Sequence, residues 1–144
     1  MIIKNLLNIS SYFIVKKYNN ILVIGLGMMG ASLCKSIRRY RITEKISGYD
    51  LNNKTLLHAR KKNIVDNAIE GFNNMLHPDL IILCTPLSSY TDIAKQLIKN
   101  VHKNSILTDI GSSKGNLHKK LYQLTSKSKI DYLSSHPMVG SEKF

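Results

Sequence analysis

The sequence predicts a doubly wound α/β fold with a parallel sheet, on two observations. Short apolar runs alternate with amphipathic stretches of about ten to fifteen residues, and the runs stop at glycine, aspartate or proline. Strands joined through helices in this way require right-handed crossovers and a sheet covered on both faces.

The elements are expected in the following order. Ile21 to Ile24 is a continuous apolar run closed by glycine, as a strand buried on both faces should be. Met28 to Tyr40 has helical spacing, with Met29, Leu33, Ser36 or Ile37, and Tyr40 on related faces. Ile46 to Tyr49 is a second strand ending at Asp50, followed by a helix over Asn53 to Lys62, and Ala68 to Ile69 is a minimal third strand. Leu80 to Cys84 is a fourth strand stopped by Thr85-Pro86, because proline cannot continue a central ladder. A helix over Ser88 to Val101 leads to a fifth strand, Ser105 to Asp109. The last helix is expected over Ser113 to Leu124 with Ser113 as its cap, and the sixth strand over Asp131 to Ser135, ahead of His136-Pro137.

Residues 1–19 read as a separate N-terminal extension and 20–144 as one domain. Lys4, Asn5 and Asn8 interrupt any secretory apolar core, and no apolar run reaches the roughly 20 residues of a membrane span. Cys34 and Cys84 lack the spacing of a metal site or disulfide framework, so no metal, no membrane and a cytoplasmic setting are expected. The net charge of +12 invites a nucleic-acid reading. Ile, Asn and Lys fill 48 of 144 positions, however, and no basic run is long or interleaved with aromatics. A/T-rich codons account for that surface, so no nucleic-acid partner is expected.

The run after the first strand is Gly25-Leu26-Gly27-Met28-Met29-Gly30, a G-x-G-x-x-G opening a helix. Gly25 allows the tight turn, Gly27 close approach to a pyrophosphate, and Gly30 close helix–strand packing, with Met28 and Met29 at the positive helix end. Asp50, twenty positions beyond Gly30, is placed for an adenosine ribose. Its charge would repel a ribose phosphate, so the expected cofactor is NAD on a Rossmann-type domain.

Ligands of such sheets lie beyond the carboxyl ends of the strands. The residues there are Thr85-Pro86, the stretch Asp109 to Gly115, and His136 to Lys143. His136 precedes proline, which favours an extended conformation at the strand tip. A histidine of ordinary pKa, about 6.5, can accept a hydroxyl proton as hydride leaves the same carbon.

Three segments carry a resemblance: Gly25 to Ser32, Asp109-Ile110-Gly111-Ser112-Ser113-Lys114-Gly115, and His136-Pro137-Met138-Val139-Gly140-Ser141-Glu142-Lys143. Together they resemble the prephenate/arogenate dehydrogenase family of tyrosine biosynthesis. The resemblance implies an NAD-dependent oxidative decarboxylation of a small-molecule cyclohexadienol. It implies that His136 takes the ring hydroxyl proton, that Ser112 hydrogen-bonds near histidine, substrate and nicotinamide, and that Ser141 and Glu142 lie at the substrate mouth. Lys114 and Lys143 are nearby cations of no assigned role. Family members continue into a helical domain that forms a homodimer and supplies cations for the substrate. The sequence ends at Phe144, and Arg38, Arg39, Arg41 and Arg60 fall on or just after the first two helices. The expectation is therefore a cofactor-binding half lacking the helical domain. A non-catalytic or partner-dependent NAD-binding module stays open as the alternative.

Overall fold

A computed structural model describes residues 18–74, 77–101, 104–112 and 114–136. The expected sites Ser141 and Glu142, with Lys143, lie outside the described residues, as does Ser113. The strands are β1 (Tyr18–Ile24), β2 (Thr43–Tyr49), β3 (Asn67–Ile69), β4 (Leu80–Leu83), β5 (Ser105–Asp109) and β6 (Ile130–Leu133). The helices are α1 (Met28–Arg39), α2 (Asn53–Lys61), α3 (Tyr90–Asn100) and α4 (Leu117–Thr125).

All strand pairs are parallel, in the order β3-β2-β1-β4-β5-β6. The central position of β1 follows from its composition, since Ile21 to Ile24 are fully buried and can only be accommodated between two neighbours with both faces covered. Alternate residues feed the two layers. Leu22 and Ile24 pack with Ile81, Leu83, Leu107, Leu97 and Leu121 beneath α3 and α4. Ile21 and Val23 pack with Cys34, Ile37, Leu56 and Ala59 of α1 and α2. With α1 and α2 on one face and α3 and α4 on the other, the sheet has the doubly wound architecture that the alternation predicts.

Because every strand runs the same way, all six carboxyl ends lie on one edge of the sheet. Neighbouring strands are about 4.8 Å apart, so the tips of β1 and β6, three strands apart, lie about 14 Å from each other across that edge.

Several bounds differ from expectation, each for a local reason. β1 and β2 begin earlier, where Tyr18 pairs with Thr43 and Asn20 with Lys45; Asn19, Glu44 and Lys45 are exposed, so apolar patterning carries no trace of these ends. α4 begins at Leu117, not Ser113, with Asn116 as its cap residue. The cause is Gly115, whose φ of +43° breaks the helical path, together with a turn in which Leu117 N–H donates to the Lys114 carbonyl at 2.7 Å. α2 starts as expected: the Asn52 side chain accepts the Lys54 and Thr55 N–H groups, a cap worth about 1 kcal/mol. None of the described helices is long and apolar enough to cross a membrane.

Candidate functional site

The bend between β1 and α1 is built by two close approaches. Gly25 adopts φ +93°, and a Cβ there would lie 2.7 Å from the Cys84 carbonyl oxygen of β4's exit. A Cβ on Gly30 would lie 1.8 Å from the Gly25 carbonyl oxygen, so only glycine lets α1 start directly over the bend. Gly27 is different. A Cβ built there meets nothing within 4 Å, and the position faces open space.

At Gly27 the chain enters α1 without a side-chain cap. The first intrahelical bond runs from Ala31 N–H to the Gly27 carbonyl at 2.9 Å. The amides of Met28, Met29 and Gly30 therefore find no acceptor within the helix, and the first turn holds no acidic residue. Such an end, with its partial positive charge, receives phosphate oxygens. The Met28 side chain is exposed and Met29 partly so, whereas Gly30 is buried. These three contribute through backbone and close packing.

Asp50 secures the other side of the bend. Its Oδ2 accepts the Leu26 N–H at 2.7 Å and its Oδ1 the Asn52 N–H at 2.8 Å. Each oxygen has a second lone pair, so the carboxylate can still accept from ribose hydroxyls.

A cleft of about 560 Å³ opens between these parts, lined by Gly25, Gly27 and Asp50 on one side and Thr85 and Pro86 on the other. Leu51, Phe72, Ile93 and Gln96 also line it, and composition gave no sign of their place there. The Tyr49 and Phe72 rings, centroids 4.6 Å apart and tilted by 36°, pack together at its wall. The volume and the largely apolar wall with a few convergent polar groups suit a nucleoside and its phosphates. Cys84 also lines the cleft. Burial, with the neighbouring Cys34 and Asp109 adding, pushes its thiol up to about 12, so it stays protonated at neutral pH. Among the described residues no group of three His, Cys, Asp or Glu side chains could hold a metal ion.

Ser112 and His136 are both exposed, in the segments leaving β5 and β6. The fold brings these two segments together on neighbouring strand tips, on the same edge as the glycine bend. Neither residue lines the cleft itself. The feature least visible in the sequence lies between them: Asp109 and Lys114 form a buried ion pair at 3.1 Å, with side chains 0% and 10% exposed.

Strand order, the glycine bend, the helix terminus and the carboxylate at the end of β2 define a Rossmann-type dinucleotide-binding domain. A family model for the nucleotide-binding domain of prephenate dehydrogenase matches residues 33–144, and the chain belongs to that family. It is 34% identical over 124 residues to the prephenate dehydrogenase of Lactococcus lactis subsp. cremoris, covering 85% of this chain and 35% of that protein. The crystal structure of Aquifex aeolicus prephenate dehydrogenase with hydroxyphenyl propionate and NAD+ superimposes with a TM-score of 0.78 at 33% identity, over 87% of this chain and 43% of that one. Synechocystis arogenate dehydrogenase gives a TM-score of 0.74 at 29% identity, over 86% and 42%. The chain thus spans less than half the length of these relatives.

Proposed function

We propose that this chain is the cofactor-binding half, with the proton-accepting histidine, of an NAD-dependent prephenate or arogenate dehydrogenase acting in the cytoplasm. One juxtaposition carries the proposal: the glycine bend, the Ser112 turn and the His136 tip share a single edge of one parallel sheet. Family membership supplies the chemistry.

The residues present fit NAD, since Gly27 leaves open the space that a side chain would fill. In this reading the Met28, Met29 and Gly30 amides hold the pyrophosphate, Asp50 holds the adenosine ribose and disfavours a ribose phosphate, and Thr85 and Pro86 border the path toward the nicotinamide. When bound, NAD supplies the hydride acceptor. His136 takes the proton of the ring hydroxyl as hydride leaves the same carbon, and Ser112 orients that hydroxyl by hydrogen bonding. The new ketone draws the electrons of the ring-carboxylate bond, carbon dioxide departs, and the ring becomes aromatic. Ser141 and Glu142 complete the proposed substrate contacts. In this reading a helical half, with the cationic contacts and the homodimer interface, lies in the length that the relatives have beyond this chain's span.

The test compares the chain alone with the chain joined in frame to the C-terminal part of the L. lactis enzyme. The chain alone should bind NAD but form NADH from prephenate or arogenate very poorly, and the joined protein should turn over. His136→Asn should abolish that turnover while NAD still binds. Unchanged turnover in the His136→Asn protein would instead make the chain a passive nucleotide module.

A further inference from the structure

Asp109 sits fully buried at the end of β5, and its two carboxylate oxygens serve two different segments. Oδ2 accepts the Gly111 N–H at 3.1 Å, one residue before Ser112. Oδ1 accepts the Tyr132 hydroxyl at 3.1 Å and the Ser135 N–H at 3.4 Å, one residue before His136, and faces the Lys114 ammonium at 3.1 Å. Lys114 in turn donates to the Ser134 hydroxyl at 2.8 Å and to the Ser135 carbonyl. The Ser135 hydroxyl donates to the Asp109 main-chain carbonyl. Ser135 is thus gripped at its N–H, its hydroxyl and its carbonyl, and the chain then continues directly into His136. The turn on the other side is pressed equally close, since a Cβ on Gly111 would come within 3.1 Å of Asp109 Oδ2 and 2.5 Å of Leu87.

Stability is a poor explanation for this arrangement. A buried ion pair repays its desolvation only barely, and an apolar pair of similar volume often serves the fold as well. Fixing the relative position of two exposed tips is something an apolar pair cannot do, because dispersion contacts are not directional.

We propose that Asp109 and Lys114 are positioning residues that lock the Ser112 turn and the His136 tip in one register for proton transfer; this rests on the function proposed above. Three variants test it: Asp109→Asn, Lys114→Met and the double variant. Each single change strands one buried charge and should lower the melting temperature, whereas the double change removes both and should restore much of it. In the double variant, amide hydrogen exchange of the 144-residue chain should quicken at Gly111 and Ser135 but not at Leu26, which Asp50 holds. In the joined protein the same variant should lose kcat by about 100-fold, the effect of roughly 1 Å of misplacement. KM for NAD should stay within about threefold, because the nucleotide cleft is untouched.

A double variant with restored melting temperature and wild-type kcat overturns the proposal, as does unchanged exchange at Gly111 and Ser135. If the joined wild-type protein forms no NADH from either acid, the catalytic reading itself fails and takes this proposal with it. The wild-type control therefore tells one failure from the other.

Discussion

Replacing Gly27 and Gly30 separately by alanine should split folding from binding, although the two residues lie three positions apart in one motif. At Gly30 the new methyl group would stand 1.8 Å from the Gly25 carbonyl oxygen, where about 3.4 Å is the least a carbon normally tolerates against such an atom. The neighbour is backbone at a bend with φ +93°, so relief requires α1 to lift off β1 by more than 1 Å. Overpacking of this kind costs about 1–3 kcal/mol or more. At Gly27 the same methyl meets nothing within 4 Å, and the backbone, at φ −63° and ψ −166°, is open to alanine. The cost there is at most about 1 kcal/mol, for a poorer helix cap. Thermal unfolding followed by circular dichroism, together with NAD titration by calorimetry, reads both effects. Gly30→Ala should lose stability and binding together. Gly27→Ala should keep nearly its full melting temperature yet bind NAD at least tenfold more weakly, a loss of about 1.4 kcal/mol or more. NAD binding by Gly27→Ala at wild-type affinity would refute the seating of phosphates on this bend.

Two other perturbations follow from the same geometry. Asp50→Ala removes the acceptor of the Leu26 and Asn52 amides and should cost about 1–3 kcal/mol of stability. It should also narrow the preference for NAD over NADP by about tenfold in paired titrations; an unchanged preference would remove Asp50 from the ribose site. Raising the pH should destabilise the fold above about 9. Burial pushes the Cys34 and Cys84 thiols up from 9.0 to about 12, and burial with the Asp109 charge pushes the Tyr132 hydroxyl up from 10.0 to about 12. Between those limits the unfolded chain releases protons that the folded chain retains. Stability should therefore fall by at most about 1.4 kcal/mol per pH unit for each group. Denaturant midpoints that stay flat from pH 9 to 11 would contradict that burial.

Much of the fold was legible because burial on both faces leaves an unambiguous mark. Ile21 to Ile24 and Leu80 to Leu83 are uninterrupted apolar runs at the centre of the sheet, and the sequence predicts strands over Ile21 to Ile24 and Leu80 to Cys84. What was not legible was polar backbone pairing: the Tyr18 to Asn20 stretch of β1 lies against Thr43 to Lys45, held by main-chain bonds that no apolar period records. Composition puts the start of the last helix at Ser113, a good cap residue, whereas the positive φ at Gly115 dictates a turn first and the helix begins at Leu117. At the candidate site, the glycine motif and Asp50 stood out through spacing alone. The Asp109–Lys114 pair did not. In a chain with 21 lysines and arginines, a lysine five residues after a strand looks like any other surface cation. Only the tertiary contact with Ser134 and Ser135 distinguishes it.

In the proposed function the imidazole at the end of β6 and the nicotinamide of a dinucleotide seated on the glycine bend occupy one crevice. Nuclear Overhauser contacts from bound NAD to the isotopically labelled chain measure this directly. Cross-peaks are expected from the nicotinamide ring protons to the His136 ring, with the Gly27 and Met28 amides shifting along the same saturation curve. Saturation of those amides with no contact between nicotinamide and His136, at any NAD concentration, would contradict it.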